Sequence, residues 1–213
     1  MIVLDKTVSN VRIGIWKMDE TTETMLSMSA YPDSVRTDAS EGVSAASRLR
    51  ERVAVRLLLE TMTGIEPRIG YLASGKPYIV NSNLHISISH TKGYAVVALS
   101  ECFEVGVDIE MINKKVLNIR HRIVGADEVA DSVESVLLHW SAKETAFKIL
   151  DMEGIDFISN LKVYPFDIQS DNAFVLEENK TKNKQTFNIN FCVSDDYVLT
   201  WCINDGKNCL TNN

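Results

Sequence analysis

Val105-Gly106-Val107-Asp108-Ile109-Glu110 is the stretch on which the reading of this chain turns. Val105, Val107 and Ile109 alternate with Gly106, Asp108 and Glu110, and a strand repeats its facing every two residues. The apolar side chains then share one face and the two carboxylates lie side by side on the other. Some 35 residues on, Trp140-Ser141-Ala142-Lys143-Glu144-Thr145-Ala146-Phe147-Lys148 carries a third acid. At helical periodicity Val133, Val136, Leu137, Trp140 and Phe147 form one stripe, with Glu144 near its middle. This predicts a core-facing helix with a charge at its centre. A lone carboxylate taken from water costs several kcal/mol or takes up a proton, so a cationic partner or a metal ion is expected beside it. Each feature has an ordinary reading: a solvated strand face for Asp108 and Glu110, and a surface ion pair of about 0.2–0.5 kcal/mol for Glu144 and Lys148. The joint pattern, two strand acids followed by a helical acid with a lysine one turn later, points to a site.

Composition sets the frame. The chain has 213 residues, 45% of them apolar and 24% charged, which suits a folded globular protein of one domain or two halves of about 100. No apolar run approaches a membrane span, and Met1-Ile2-Val3-Leu4-Asp5 does not read as a signal peptide, so the cytoplasm is the expected compartment. Cysteines at 102, 192, 202 and 209 show no metal-binding spacing and read as buried or incidental thiols. With 29 acids against 22 bases the net charge of −7 argues against general nucleic-acid binding. An anionic partner would therefore have to meet a local basic patch.

Along the chain, strands are expected near 11–17, 67–73, 85–90 and 94–99, with a helix near 44–63 that ends at Thr63-Gly64 before Pro67. The second half follows the same order, with a strand near 104–110, a helix near 132–150 and strands near 161–166, 173–177, 185–193 and 197–203. This suggests an α+β fold made of two similar halves, 1–102 and 103–213, with a ligand cleft between them. The candidate phosphate-binding bases fall in the first half. Arg48, Arg52 and Arg56 recur along one helix side, Ser74-Gly75-Lys76-Pro77 is a tight turn with a lysine, and Ser89-His90-Thr91 closes a strand in a donor-rich turn. These hydroxyls and turn amides, with Lys76 beside them, would cup a phosphate.

Gly75-Lys76-Pro77, Ile88-Ser89-His90, Gly106-Val107-Asp108-Ile109-Glu110 and Trp140-Ser141-Ala142-Lys143-Glu144 with Lys148 together resemble the 4′-phosphopantetheinyl transferases, in the two-lobed form that activates acyl, peptide and polyketide carrier proteins. The motifs stand in order over roughly residues 45–160. The resemblance implies a pseudo-dimeric fold that binds coenzyme A. It also implies transfer of the phosphopantetheine arm to a carrier-protein serine, with release of adenosine 3′,5′-bisphosphate. Asp108, Glu110 and Glu144 would hold magnesium, or manganese in its place, on the pyrophosphate, and Lys148 would contact the same group. Lys76 and His90, with Ser89 and Thr91, would take the adenosine end and its 3′-phosphate. Arg52 is aligned with the family's helix arginine, with Arg48 and Arg56 as possible shifts.

Magnesium takes oxygen ligands and commonly combines a few carboxylates with substrate phosphate, which suits three acids. Glu144 is the first candidate for the base that accepts the serine proton, with Glu110 or a water on the metal as competitors. Lys114, Lys115, Arg120, His121 and Arg122 form a basic segment suited to docking an acidic carrier protein, or simply a solvated loop. In place of the basic N-terminal contacts the family would supply, the chain offers only scattered Lys17 and Arg36, and those contacts stay unassigned. The protein is expected to act as a monomer, without nucleic acid or membrane. A magnesium-dependent nucleotide pyrophosphate hydrolase would use the same acids, and a silent coenzyme A or carrier-binding module would not need them.

Overall fold

The computed structural model describes residues 1–8 and 10–204, with mixed α/β architecture. The chain divides into two compact units, the first Met1–Cys102 and the second beginning at Phe103. Cys209 lies outside the described residues.

The first unit opens with β1 (Ile2–Val8) and β2 (Val11–Lys17), followed by α1 (Thr22–Ser27), α2 (Pro32–Ser40) and α3 (Ala46–Thr63). A short hairpin, β3 (Ile69–Tyr71) and β4 (Pro77–Ile79), precedes β5 (His85–Thr91) and β6 (Tyr94–Ser100). The main sheet runs β1-β2-β6-β5 with antiparallel pairing throughout. Helix α3 buries Val53, Ala54, Leu57, Leu58 and Met62. It passes over Gly14 of β2, where a Cβ would stand 2.8 Å from Leu58 and 2.6 Å from Met62 Sδ. The helix stops at Gly64, whose φ of 73° supplies the left-handed turn, as Thr63-Gly64 before Pro67 predicts. Sequence reading missed β1, α1, α2 and β4. Helices α1 and α2 are short and rich in Ser, Thr and acid, and each buries only two side chains, Met25 and Leu26 in one and Val35 and Ala39 in the other.

The second unit begins with β7 (Glu104–Met111), a 3-10 segment over Lys114–Arg122 and α4 (Val133–Leu150). It continues with β8 (Leu161–Val163), β9 (Ala173–Glu178), β10 (Thr186–Val193) and β11 (Tyr197–Asn204). Its sheet runs β7-β11-β10-β9-β8, so β7 is an edge strand, paired with β11 through Asp108↔Thr200. Ser132 caps α4 by accepting from Ser135 N at 3.0 Å, and Asp151 ends it in the left-handed region.

One alternative reading falls and one expectation needs correcting. The face of β7 that carries Gly106 and Asp108 is not solvated, because α4 packs against it: a Cβ on Gly106 would lie 2.3 Å from the Thr145 carbonyl oxygen. The side chain removed at Gly106 is what lets the helix backbone reach the strand. The core face of α4 is also rotated from the predicted stripe. Leu138, Ala142 and Ala146 are fully buried, while Phe147 is exposed and Trp140 and Glu144 are half-buried at the flank. Polar residues caused the misreading. His139, Ser141, Lys143 and Thr145 are all buried, which an apolar-periodicity argument assigns to the outside.

Candidate active site on one helix and one strand

Trp140, Glu144 and Lys148 follow one another at i, i+4 along α4 and face the acid side of β7. At one end Trp140 Nε1 donates to Glu110 Oε1 at 2.8 Å. At the other, Lys148 Nζ donates to Asp108 Oδ1 at 2.8 Å and to the Val107 carbonyl at 2.9 Å. Glu144 sits on the turn between them. Behind the acids, Thr200 of β11 exchanges hydrogen bonds with Ser141 at 2.8 Å and Thr145 at 2.7 Å, all three hydroxyls being buried. That hydroxyl cluster fixes the height of α4 over the sheet. Its residue types are too common for sequence reading to have singled them out.

The electrostatics show that the three acids act on one another. Burial pushes the Glu110 carboxyl up to about 7, and the neighbouring Asp108 and Glu144 charges add to it against the Trp140 hydrogen bond. Glu144 is also raised, chiefly by burial and then by Asp108, with Lys148 opposing. Among the described residues no group of three histidine, cysteine or acid side chains is arranged to hold a metal ion. The Lys148 ammonium lies on Asp108 in this arrangement. The donor set nonetheless fits a hard divalent cation by its chemistry: three carboxylates on facing turns of one helix and one strand, two of them raised chiefly by burial and further by their neighbours' charge.

A pH effect follows with a definite sign. The folded-state proton affinity of Glu110 is above that of an ordinary glutamate, so the native state binds more protons than the unfolded chain between about pH 4.5 and about pH 7. The contribution of the cluster to stability therefore falls as pH rises through that window. For a partly exposed group screened by solvent this amounts to at most about 2 kcal/mol. In chelator, Glu110→Gln should flatten the thermal-unfolding midpoint against pH over this range. A slope equal to the parent's would mean that Glu110 titrates normally.

In the first unit the structure separates the candidate bases. Arg48 Nη1 donates to His90 Nε2, which leaves the His90 proton on Nδ1, 3.5 Å from Glu51 Oε2. Arg48 also contacts Glu51 at 3.3 Å. Arg52 is engaged elsewhere, donating to the Glu41 carbonyl at 2.7 Å just past α2 and lying over the Tyr71 ring. Arg56 is buried and bound to Asp38 at 2.5 Å. The sequence cue for Arg52, the apolar run that follows it, did not distinguish helix faces, whereas the structure gives the His90 contact to Arg48.

Lys76 occupies the β3–β4 turn, where Gly75 has a φ of 89°. His90 shares a β5 face with Ile86 and Ile88, toward α3, and the period-two alternation puts Ser89 and Thr91 on the opposite face. Lys17 lies over Tyr94, and Arg36 pairs with Glu23 at 2.5 Å.

Residues 104–202 match the family model described as the 4′-phosphopantetheinyl transferase superfamily, a span that runs from β7 to β11 and contains Asp108, Glu110, Glu144 and Lys148. No curated protein matches the chain. Over residues 104–202, a little under half of the chain, the protein is thus similar to the 4′-phosphopantetheinyl transferase superfamily, whose general chemistry is phosphopantetheine transfer from coenzyme A. Among the described residues no helix is long and apolar enough to cross a membrane.

Proposed function

We propose that this protein transfers the 4′-phosphopantetheine arm of coenzyme A to a serine of an apo acyl or peptidyl carrier protein in a magnesium-dependent reaction. The observation that carries the reading is the facing set of Asp108, Glu110, Glu144 and Lys148 within the matched domain. The serine oxygen forms a bond to the phosphorus bearing the pantetheine, the bridging P–O bond of the pyrophosphate breaks, and adenosine 3′,5′-bisphosphate leaves with that electron pair. The serine proton passes to a protein carboxylate. Glu144 is the first candidate for this, supported by burial and the adjacent Asp108 charge, which raise its affinity for a proton. Glu110, held by Trp140, is the competing acceptor. Lys148 balances charge on the pyrophosphate at the Asp108 end. Asp108, Glu110 and Glu144 would hold magnesium, with manganese as a substitute, and the ion would neutralise charge on the leaving phosphate.

Nucleotide release separates this reading from pyrophosphate hydrolysis. Adenosine 3′,5′-bisphosphate should appear only with an apo carrier present, in amounts equal to the carrier modified. Release without carrier would assign water, not serine, as the acceptor.

Lys76, His90 and Arg48 are proposed for the adenosine end and its 3′-phosphate; Ser89 and Thr91, on the opposite face of β5, are not proposed beside them. Arg48 takes the place expected of Arg52 because it, and not Arg52, touches His90. Each charge-assisted contact contributes about 1.5–3 kcal/mol. Arg48→Ala should therefore weaken coenzyme A by about 10-fold or more while leaving dephospho-coenzyme A nearly unchanged, as read by calorimetry. Arg52→Ala should change stability with little effect on the ratio. Equal weakening of both ligands by Arg48→Ala would remove that residue from the 3′-phosphate.

A further inference from the structure

Lys143 and Glu128 form an ion pair that the chemistry above leaves unused. The Lys143 side chain is 0% exposed and that of Glu128 3%, with Nζ 2.8 Å from Oε2. The same Oε2 accepts from Gly125 N at 2.5 Å, and Oε1 accepts from Val163 N at 2.6 Å. Lys143 Nζ also donates to the Ile123 carbonyl at 2.8 Å. One carboxylate and one ammonium thus join α4, the loop over 123–128 and strand β8 by directed hydrogen bonds. The loop is packed as well: Ile123, Val124 and Ala130 form a small core with Val136 of α4, flanked by Val116 and Trp140. Arg120 Nε donates to the Ala130 carbonyl at 3.0 Å and ties the 3-10 segment to that loop.

The element braced in this way has a distinctive surface. Between Lys114 and Arg122 it exposes Lys114, Lys115, His121 and Arg122 together with Leu117 at 45% and Ile119 at 42%. Buried ion pairs are a poor way to gain stability, since well-packed apolar residues of similar volume are commonly as stable or more so. Their directed bonds do fix one element against another. We propose that Lys143 and Glu128 are positioning residues that hold the basic, apolar-tipped 114–122 segment in register with Glu144 on the next residue of α4, so that a docked carrier protein presents its serine to the acids. The inference rests on the carrier-transfer reading and on docking at this segment.

The test uses the full chain, with carrier and coenzyme A varied separately. Lys143→Met combined with Glu128→Leu fills the space without charge, and Glu128→Asp keeps the charge on an arm too short to reach both Gly125 and Val163. In each folded variant kcat/KM for carrier should fall about tenfold or more while KM for coenzyme A stays within about twofold. Parental carrier kinetics in either folded variant, or equal losses for both substrates, would overturn the proposal. If both variants failed to fold, the pair would be a structural brace only, which also overturns it. Charge reversal at Lys114 and Lys115, which lie outside the brace, is the control: unchanged carrier kinetics there would reject the docking segment, and a parent protein without transfer would reject the reaction itself.

Discussion

Glu144→Gln should lower phosphopantetheine transfer by about 10²–10⁴-fold while the protein remains folded. The substitution keeps the shape of the side chain and removes its charge. That change takes away a proton acceptor and one of three carboxylates available to a cation. Asp108→Ala should be at least as damaging, because it also leaves Lys148 without its 2.8 Å acid partner. Stability should hold or rise in Glu144→Gln measured in chelator. Burial and then repulsion from Asp108 raise the Glu144 carboxyl in the folded state, and a neutral amide is spared both. Steady-state transfer against thermal unfolding on the same samples separates the two effects. Either variant transferring at the parent's rate with magnesium present would place the reacting centre elsewhere.

Gly106→Ala should produce the largest combined loss of stability and rate from a single methyl group. The added Cβ would stand 2.3 Å from the Thr145 carbonyl, which belongs to the backbone of α4 and cannot rotate away. Either the helix lifts off β7 or the strand bends, and overpacking of this kind costs about 1–3 kcal/mol. Thr145 directly follows Glu144, so the lift also separates Glu144 from Asp108. Misplacement on the order of 1 Å is enough to cost about 10²-fold in rate. Gly14→Ala in the first unit makes a useful contrast. Its nearest neighbours are the Met62 thioether and a Leu58 methyl, both side-chain atoms, so a milder loss is expected. Chemical denaturation of both variants checks the order; a Gly106→Ala protein as stable as the parent would contradict the close packing of α4 on β7.

Gly106 also shows how much of this molecule was legible in its sequence. The alternation over 105–110 placed a strand with Asp108 and Glu110 on a shared face, and the spacing to Glu144 and Lys148 placed the helix that meets it. What covered that face could not be read, because Asp and Glu beside glycine look solvated until the missing Cβ is seen as room for a helix. The buried polar residues of α4 were hidden for a related reason. Lys143 is compensated by Glu128, fifteen positions away, and Ser141 and Thr145 by Thr200, in a strand near the end of the described chain. Periodicity sees only which residues are apolar, not which polar ones find partners. The arginines of α3 show the same limit. Arg48, Arg52 and Arg56 are equivalent by spacing, and only tertiary contacts give one to His90, one to the end of α2 and one to Asp38.

The most direct test of the central claim is intact-mass spectrometry of an apo carrier protein incubated with this protein, coenzyme A and magnesium. The carrier should gain the mass of one phosphopantetheine on its serine, and the gain should disappear with Glu144→Gln and with chelator. An unmodified carrier under conditions where a known transferase converts it, tested across acyl and peptidyl carriers, would contradict the assignment.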